Sequence, residues 1–283
     1  MHYPFKVACL GGPGSFSRIG CEQRFPDASL QACANFGQAF DAVETDQCDL
    51  GLVPIENSIA GRVTEVHMLL CNSPLFIVGE VLIPIEHSLV SLPGSKISGV
   101  REVFSHLQAL SQCSNYLAQR GFQATPAGAT SEAARLIKEK GDPSLAAIAH
   151  QGAAEYYALD VLESGIQDFD DNVTRFVILS RNNADPTLAY DNPVTTIKLD
   201  FGEDPSDLHR VLSGFAQNDV KITRIESYLS RETLSSTSFM IDFLGTPKEP
   251  KVQRVFDILE QVSKNVQHFG TYESAKLADS FVS

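Results

Sequence analysis

The chain has 283 residues, of which 43% are hydrophobic and 20% charged, a composition typical of a soluble globular protein. Its formal net charge of −13 argues against nucleic acid or an anionic membrane surface as the main partner. An anionic small substrate stays compatible, since it responds to the charge of its own pocket. No segment approaches the roughly 18 apolar residues of a membrane span, and the N-terminus lacks a signal-peptide pattern, so we expect a cytoplasmic protein.

The six cysteines all lie within the first 113 residues and include no C-x-x-C pair. A chain of this length can bury an adequate core without disulfides, so we expect reduced thiols that lie mostly in the core. No arrangement of cysteine with histidine points to a catalytic thiol.

Strands and helices alternate over the first 180 residues or so. Helical spacing of apolar residues predicts helices at 18–24, 36–43 and 108–119, and one opening at 152. A further helix is predicted through about residue 139, with Thr130 or Ser131 as its N-cap. Apolar runs predict strands at 5–10, 49–55, 75–85, 87–92, 103–106, 145–150 and 172–180. The alternation predicts an α/β fold with largely parallel sheets, and two lobes with a cleft would bring its turns together.

Polar residues recur where the predicted strands end. Open α/β sheets bind ligands at the carboxyl ends of their strands, so each of these turns is a candidate site. Taken alone, each of these turns could instead have a purely structural role, as a tight turn that binds no ligand or as a helix cap. The turns contain residues 11–17, Glu56-Asn57-Ser58, Ser105-His106, Thr130-Ser131 and Thr174-Arg175.

The pattern changes after residues 181–192, which are rich in Asn, Asp and Pro and indicate a linker. Strands are predicted at 194–201, 222–229, 238–244 and 266–272, and helices at 206–218 and 247–264. The order βαββαβ over about 80 residues is that of a ferredoxin-like unit, which predicts a second small domain.

Taken in order, five motifs resemble those of the prephenate dehydratase family. They are Gly-Gly-Pro-Gly-Ser-Phe-Ser at 11–17, Pro-Ile-Glu-Asn-Ser at 54–58, Ser-His-Leu-Gln-Ala at 105–109 with Gln112, Thr-Ser at 130–131, and Asn-Val-Thr-Arg-Phe at 172–176. The tail, with Thr-Arg-Ile-Glu-Ser at 223–227, resembles the ACT regulatory domain of that family. The resemblance covers about residues 5–274.

The resemblance implies a catalytic domain at 1–181 with a two-lobed, type II periplasmic-binding-protein-like architecture. It implies a linker at 182–192 and a ferredoxin-like ACT domain at 193–275, through which a homodimer or homotetramer would form. The activity implied is conversion of prephenate to phenylpyruvate in L-phenylalanine biosynthesis, with no cofactor and no metal. Bifunctional relatives carry a chorismate mutase domain ahead of this one. Because the catalytic domain starts by Phe5, we expect that activity to be absent.

The resemblance also assigns residues to roles. Thr174 would hydrogen bond to the leaving hydroxyl of the substrate, because a threonine hydroxyl is too weak an acid for full proton transfer. Arg175 is left open between pairing with a substrate carboxylate and a structural salt bridge, and His106 is expected to be structural. The other catalytic residues implied are Asn57, Ser105 and Gln112, and the substrate-binding residues are Gly14, Ser15, Ser17, Ser58, Thr130 and Ser131.

L-Phenylalanine is the effector that the resemblance implies, with Leu208, Glu226 and Ser227 as its tentative contacts. The chain departs from the family there, since Ser206-Asp207 replaces a Gly-Ala pair and Tyr228-Leu229 replaces Arg-Pro. A side chain then stands where the backbone must approach the effector, so we expect weak inhibition or none.

Two other functions are compatible with the sequence. Arogenate dehydratase performs the same chemistry on a substrate that has an ammonium group in place of the ketone, and no residue in the sequence separates the two. A non-catalytic amino-acid-binding regulator could use the same two-lobed fold, although the presence of Thr174, Asn57 and Gln112 together speaks against it.

Overall fold

The computed structural model describes residues 5–184, 189–202, 204–229 and 236–276, with the backbone alone described at 236 and 237. These residues form two compact units. The first comprises 5–69 and 81–176, and the second comprises 70–80 and the described part of 177–276. Within the described ranges, no helix is both long and apolar enough to cross a membrane.

The first unit is built from alternating strands and helices, three of which (α3, β5 and β11) continue into the second unit. The elements are β1 (Lys6–Leu10), α1 (Phe16–Arg24), β2 (Ser29–Cys33), α2 (Phe36–Glu44), β3 (Leu50–Asn57), β4 (Gly61–Arg62), α3 (Thr64–Asn72), β5 (Phe76–Pro84), β6 (Ser88–Ser91), β7 (Glu102–His106), α4 (Leu107–Gln112), α5 (Ser114–Arg120), β8 (Gln123–Ala127), α6 (Thr130–Lys140), β9 (Leu145–Ala149), α7 (Gln151–Tyr157), β10 (Asp160–Ser164) and β11 (Val173–Ser180).

Two sheets organise these elements. One has the strand order β2-β1-β3-β11-β5, with the short β4 beside β3, and the other has the order β10-β6-β9-β7-β8. Strand β1 runs parallel to β2 and β3, and β7 runs parallel to β8 and β9, as the alternation of strands and helices predicted. The two-lobed α/β architecture expected from the sequence is therefore confirmed.

Helices cover both faces of the second sheet. Strand β9 is buried along its whole length because its residues alternate between two cores. Ala147 packs with α6 and α7, whereas Ile148 packs with α4 and α5. Burial of an Ile or Leu side chain stabilises the folded state by about 1.5–3 kcal/mol. The two cores therefore hold the strands of the second sheet, and their carboxyl ends, rigidly.

The second unit has the predicted βαββαβ order. Its strands form an antiparallel sheet in the order β13-β14-β12-β15, and both helices pack on one face. Ile197, Phe243 and Val255 belong to the core between that face and the helices. The elements are β12 (Pro193–Asp200), α8 (Asp207–Gln217), β13 (Ile222–Leu229), β14 (Ser236–Leu244), α9 (Pro250–Val262) and β15 (Asn265–Glu273).

Three local predictions were wrong. Strand β3 does not end at residue 55 but continues to Asn57, because its pairing with β1 ends at Leu52 and Pro54 disrupts no bond of that ladder. The predicted helix at 108–119 is interrupted at Cys113. Helix α6 begins at Thr130, so its N-cap is Ala129 and no side chain caps it.

The six cysteines are free thiols. Five are buried, and Cys71 is half-buried. Burial raises the pKa of the Cys113 thiol to about 12, because the charged thiolate is poorly solvated there. The expectation that the thiols lie mostly in the core is confirmed.

Candidate active site

A cavity of about 580 Å³ lies within the first unit. It is lined by strand ends and turns of both sheets, which the topology brings to one place. The predicted turns do meet there. The polar lining residues are Ser15, Ser17, Asn57, Arg62, His87, His106, Gln108, Gln112, Thr130, Ser131 and Thr174, and Phe16, Pro54, Ile85 and Phe176 are among the apolar ones.

Thr174 is buried near the start of β11 and lines the cavity. Its Oγ1 accepts a hydrogen bond from Asn57 Nδ2 at 2.9 Å. A hydroxyl that accepts one bond still has its own hydrogen to donate. The contact with Asn57 therefore orients Thr174 as a hydrogen-bond donor.

Asn57 is held on both sides of its amide. Its Oδ1 accepts from the backbone N–H groups of Ile59 at 3.1 Å and Ala60 at 2.8 Å, which forms a turn rather than the helix cap considered from the sequence. Its Nδ2 donates to Asn172 Oδ1 at 2.7 Å as well as to Thr174. Both polar atoms of Asn57 are thus engaged within the protein, one of them with Thr174.

Asn172 was quoted in a sequence motif but received no role there. Residues two apart on a strand share a face, and that spacing is the signal that could have linked Asn172 to Thr174. Asn172 is only 2% exposed, and its Nδ2 has no hydrogen-bond partner within the part of the chain that is described. A buried amide nitrogen without a hydrogen-bond partner lowers the stability of the fold. We therefore infer that the function of Asn172 lies in the hydrogen bond that its Oδ1 accepts from Asn57.

Gln112, the last residue of α4, lines the cavity and contacts a histidine that sequence reasoning missed. Gln112 Oε1 lies 3.0 Å from His87 Nε2. His87 is 1% exposed, and burial holds its pKa below the ordinary value. The ring of Phe16 packs edge-on against His87, with centroids 5.8 Å apart.

Two helices begin at the cavity wall. At α1, the Ser15 hydroxyl accepts from the Arg18 N–H at 3.3 Å and donates to the Leu10 carbonyl at 3.1 Å. Ser17 lies in the first turn of α1, and Thr130 and Ser131 open α6, which has no side-chain cap. Helix N-termini carry partial positive charge and unpaired N–H groups, so both starts favour an anion.

The lining side chains that can carry charge are Arg62, His87 and His106. Sequence reasoning gave Arg62 no role, because its position opposite Glu56 in the β3–β4 pairing is not visible from the chain. His106 caps α4, since its Nδ1 accepts from the Gln108 N–H at 3.3 Å, which agrees with its structural interpretation. The described lining side chains therefore offer positive charge or none to a ligand, and an acid beside the wall is Glu132 in the first turn of α6, next to Gly128.

Ser105 and Gly14 are not among the lining residues. Ser105 is fully buried, and its Oγ donates to the Ile148 carbonyl at 2.7 Å, which ties β7 to β9. Gly14 has φ of +77°, and a Cβ there would lie 2.4 Å from Ala153 Cα. Their surroundings support a structural role for both, and the direct roles that the resemblance implied stay predictions.

Ser58 and Arg175 also lie outside the cavity wall. Ser58 Oγ accepts from the Val173 N–H at 3.0 Å and donates to the Asp171 carbonyl at 3.2 Å, so it fastens the start of β11. Arg175 is 5% exposed, and its Nη1 lies 4.0 Å from Glu56 Oε2. This contact favours the structural interpretation of Arg175 over the substrate anchor.

The tentative effector residues lie in the second unit. Leu208 is in the first turn of α8, and Glu226 and Ser227 are on β13. The neighbouring Asp207 is buried, with Arg210 Nη1 at 3.9 Å. A second cavity of about 1010 Å³ in this unit is lined by other residues, among them Tyr190, Phe256 and His268, and contains none of the predicted site residues.

Comparisons of this chain with known proteins agree on one family. The model of the prephenate dehydratase family matches residues 7–184. A bifunctional N-acyl-homoserine lactone acylase/prephenate dehydratase of Komagataeibacter europaeus is 34% identical, with 95% of this chain and 96% of that protein covered. An arogenate dehydratase/prephenate dehydratase of Arabidopsis thaliana is 39% identical, with coverage of 94% and 68%.

Solved structures agree with these relatives. The prephenate dehydratase of Arthrobacter aurescens, solved in complex with L-Phe, is 30% identical and has a TM-score of 0.86, with 98% of this chain and 94% of that chain covered. The prephenate dehydratase of Staphylococcus aureus is 28% identical and has a TM-score of 0.82, with coverage of 95% and 99%. A quorum-quenching acylase is 32% identical and has a TM-score of 0.88, with coverage of 95% and 98%.

Proposed function

Because the chain belongs to the prephenate dehydratase family, we propose that it converts prephenate to phenylpyruvate, as a carbon–oxygen lyase of L-phenylalanine biosynthesis. The observation that carries the proposal is the 2.9 Å bond from Asn57 Nδ2 to Thr174 Oγ1, in a cavity that favours anions. Prephenate is a dianion with a hydroxyl to expel, so it needs both features.

In the proposed reaction, the carboxylate on the ring leaves as carbon dioxide and the 4-hydroxyl leaves as water, which consumes one proton. Aromatisation of the ring supplies the driving force. Thr174 donates a hydrogen bond to the departing oxygen, and the proton is relayed from water. The starts of α1 and α6, with Arg62, orient the carboxylates, and the Gln112 amide donates to a further oxygen.

The test is phenylpyruvate formation by the purified protein on addition of prephenate. Thr174→Ala is expected to lower kcat by at least about a hundredfold, because the developing charge on the leaving oxygen loses its donor. Thr45→Ala removes an exposed hydroxyl that bonds to the Asp41 carbonyl and serves as the matched control. Full turnover by Thr174→Ala would contradict the role proposed for this residue.

Between prephenate and arogenate, the cavity supports prephenate. Arogenate has an ammonium where prephenate has a ketone, and a buried ammonium needs an acidic partner. The chargeable groups of the wall are an arginine and two histidines, which repel a cation or leave it unpaired. We expect kcat/KM to be at least about tenfold higher on prephenate than on arogenate. The reverse preference would assign the chain to the arogenate dehydratases.

The site supports a lyase over an acylase or a non-catalytic regulator. An acylase needs a nucleophile activated by a base. The lining hydroxyls of Ser15 and Thr174 bond instead to a backbone carbonyl and to an amide. Those of Ser17, Thr130 and Ser131 have no hydrogen bond to a histidine among the described residues. A regulator would have no use for a hydroxyl oriented as a donor by two successive asparagines, so we keep the dehydratase as the single proposed function.

Residues 193–275 are proposed to form the ACT regulatory domain, joined by the linker at 182–192 to a catalytic domain at 1–181 in a cytoplasmic homodimer or homotetramer. The βαββαβ order of the second unit supports the domain. Strand β13 is a sheet edge on which Ile225 and Leu229 are 43% and 63% exposed, and such an edge is suited to pairing with a second copy. Light scattering is expected to give a dimer or tetramer, and a monomer at micromolar concentration would refute this assembly.

A further inference from the structure

His87 is fixed in place by its backbone and lines the proposed active site. Its N–H donates to Gln167 Oε1 at 3.0 Å, and its carbonyl accepts from the Ile166 N–H at 3.1 Å. The imidazole is buried, and Phe16 packs edge-on against it. With both backbone groups and the ring held, His87 presents one nitrogen in a defined direction, toward Gln112.

The surroundings of the ring select its tautomer. His87 Nδ1 is buried and has no hydrogen-bond partner within the described residues, whereas Nε2 lies 3.0 Å from Gln112 Oε1. A hydrogen on Nδ1 would be a buried donor without an acceptor, which costs more than a bare lone pair. The hydrogen therefore sits on Nε2 and is donated to Gln112.

That donation decides which end of the Gln112 amide points away from His87. With Oε1 engaged, the Nε2 hydrogens of Gln112 are left to donate elsewhere. The backbone carbonyl of Gln112 accepts from the Asp168 N–H at 2.6 Å, so the residue is anchored at both ends. The carboxylates and the ketone of prephenate present only acceptor oxygens, and a rotated amide would set Oε1 against them.

We propose that His87 is a positioning residue that holds the Gln112 carbonyl oxygen, so that the Gln112 amide hydrogens face an acceptor oxygen of the substrate. This role rests on the proposed function. His87 itself does not touch the substrate in it, and its effect on turnover passes entirely through Gln112.

A double-mutant cycle on kcat/KM for prephenate tests that dependence. His87→Leu is expected to lower kcat/KM by about tenfold, and His87→Gln, which returns an N–H donor near the same point, is expected to recover part of the loss. In the Gln112→Ala background, His87→Leu is expected to change kcat/KM by less than about twofold, because the group it positions is gone. A tenfold effect that persists in that background would overturn the proposal.

Gln112→Glu keeps the hydrogen bond from His87 and removes the donor that faces the substrate. A carboxylate accepts from His87 Nε2 as the amide oxygen does, so the thermal midpoint is expected to hold within about two degrees. It offers no donor to the substrate, so kcat/KM is expected to fall at least as far as in Gln112→Ala. Retained activity in Gln112→Glu would overturn the proposal, and this variant serves also if His87→Leu does not fold.

A matched control is another buried histidine. His67 is 5% exposed, and its Nε2 lies 3.1 Å from the Ile55 carbonyl oxygen, outside the cavity wall. His67→Leu is expected to lower the thermal midpoint while kcat/KM stays within about twofold. An equal loss of kcat/KM in both histidine variants would show that any buried histidine matters, and would overturn a specific role for His87.

The tautomer provides a readout that does not depend on activity. In the ¹⁵N-labelled full chain, NMR of the imidazole nitrogens is expected to show hydrogen on Nε2 of His87, identified by loss of its signals in His87→Gln. A dominant Nδ1–H tautomer would overturn the inference. Absence of prephenate turnover by the unmodified chain would instead refute the proposed function, so the two failures can be told apart.

Discussion

At the scale of single residues, the site depends on the hydrogen bonds that fix the orientation of the Asn57 amide. Asn57 has two hydrogens on Nδ2, and Asn172 and Thr174 lie at 2.7 and 2.9 Å from that nitrogen. Its oxygen is occupied by two backbone N–H groups. The amide cannot rotate without breaking these bonds, so Thr174 meets a fixed donor rather than a mobile one, and its own hydrogen points elsewhere.

The role of Asn172 follows from this chain of bonds. Asn172→Leu removes the acceptor for Asn57 and is expected to lower kcat for prephenate by about tenfold, since Asn57 then no longer holds Thr174 in one orientation. Asn172→Asp keeps the acceptor and removes the unpaired amide, so it is expected to lose less. Steady-state kinetics of the two variants compare them. Equal losses would show that Asn172 acts through packing alone.

At the scale of elements, the turn between β1 and α1 needs a glycine at position 14. Gly14→Ala is expected to destabilise the first unit by about 1–3 kcal/mol, because a Cβ would meet Ala153 Cα at 2.4 Å and φ is +77°. Gly12→Ala in the same turn is the control, since nothing lies within 4 Å of its added Cβ. Urea unfolding of both variants measures the difference. A stable Gly14→Ala would mean that α7 shifts at little cost.

A second element-scale prediction concerns α8. Asp207 is buried at the start of this helix, and Ser206-Asp207 stands where the family resemblance implies a Gly-Ala pair. A carboxylate and a side chain at that point oppose close approach of L-phenylalanine. Titration calorimetry is expected to show weak binding or none in the natural chain, and tighter binding after Ser206→Gly with Asp207→Ala. Tight binding by the natural chain would refute the expectation.

The same elements show how far sequence reasoning reaches. The apolar run at β9 and the alternation in the second unit predicted their strands correctly, because burial on one or two faces leaves a local pattern. The cap of α6 was predicted at Thr130 or Ser131, one or two residues too late, because Ala129 has no capping group to reveal it. His87 and Gln112 are 25 residues apart, and Gly14 meets Ala153 only through the fold, so no local pattern could reveal these contacts.

At the scale of the whole molecule, three histidines link stability to pH. Burial holds the pKa of His87, His150 and His268 below the ordinary value of about 6.5. His87 and His150 belong to the first unit and His268 to the second. Below pH 6.5 the unfolded chain takes up protons at these positions that the folded chain does not yet bind. Stability therefore falls as the pH drops from 6.5 toward the folded-state pKa values.

The fall in stability at lower pH can be measured by urea unfolding. The urea midpoint is expected to be lower at pH 5.5 than at pH 7.5, and the difference is expected to shrink in His87→Gln, which cannot titrate. Hydrogen bonds from Ser144 and Ser206 hold the pKa of Asp142 and Asp204 below the ordinary carboxyl value, so these two acids do not titrate in this window. A midpoint unchanged between pH 7.5 and 5.5 would mean that the buried imidazoles gain solvation on protonation, which the tight packing of His87 against Phe16 opposes.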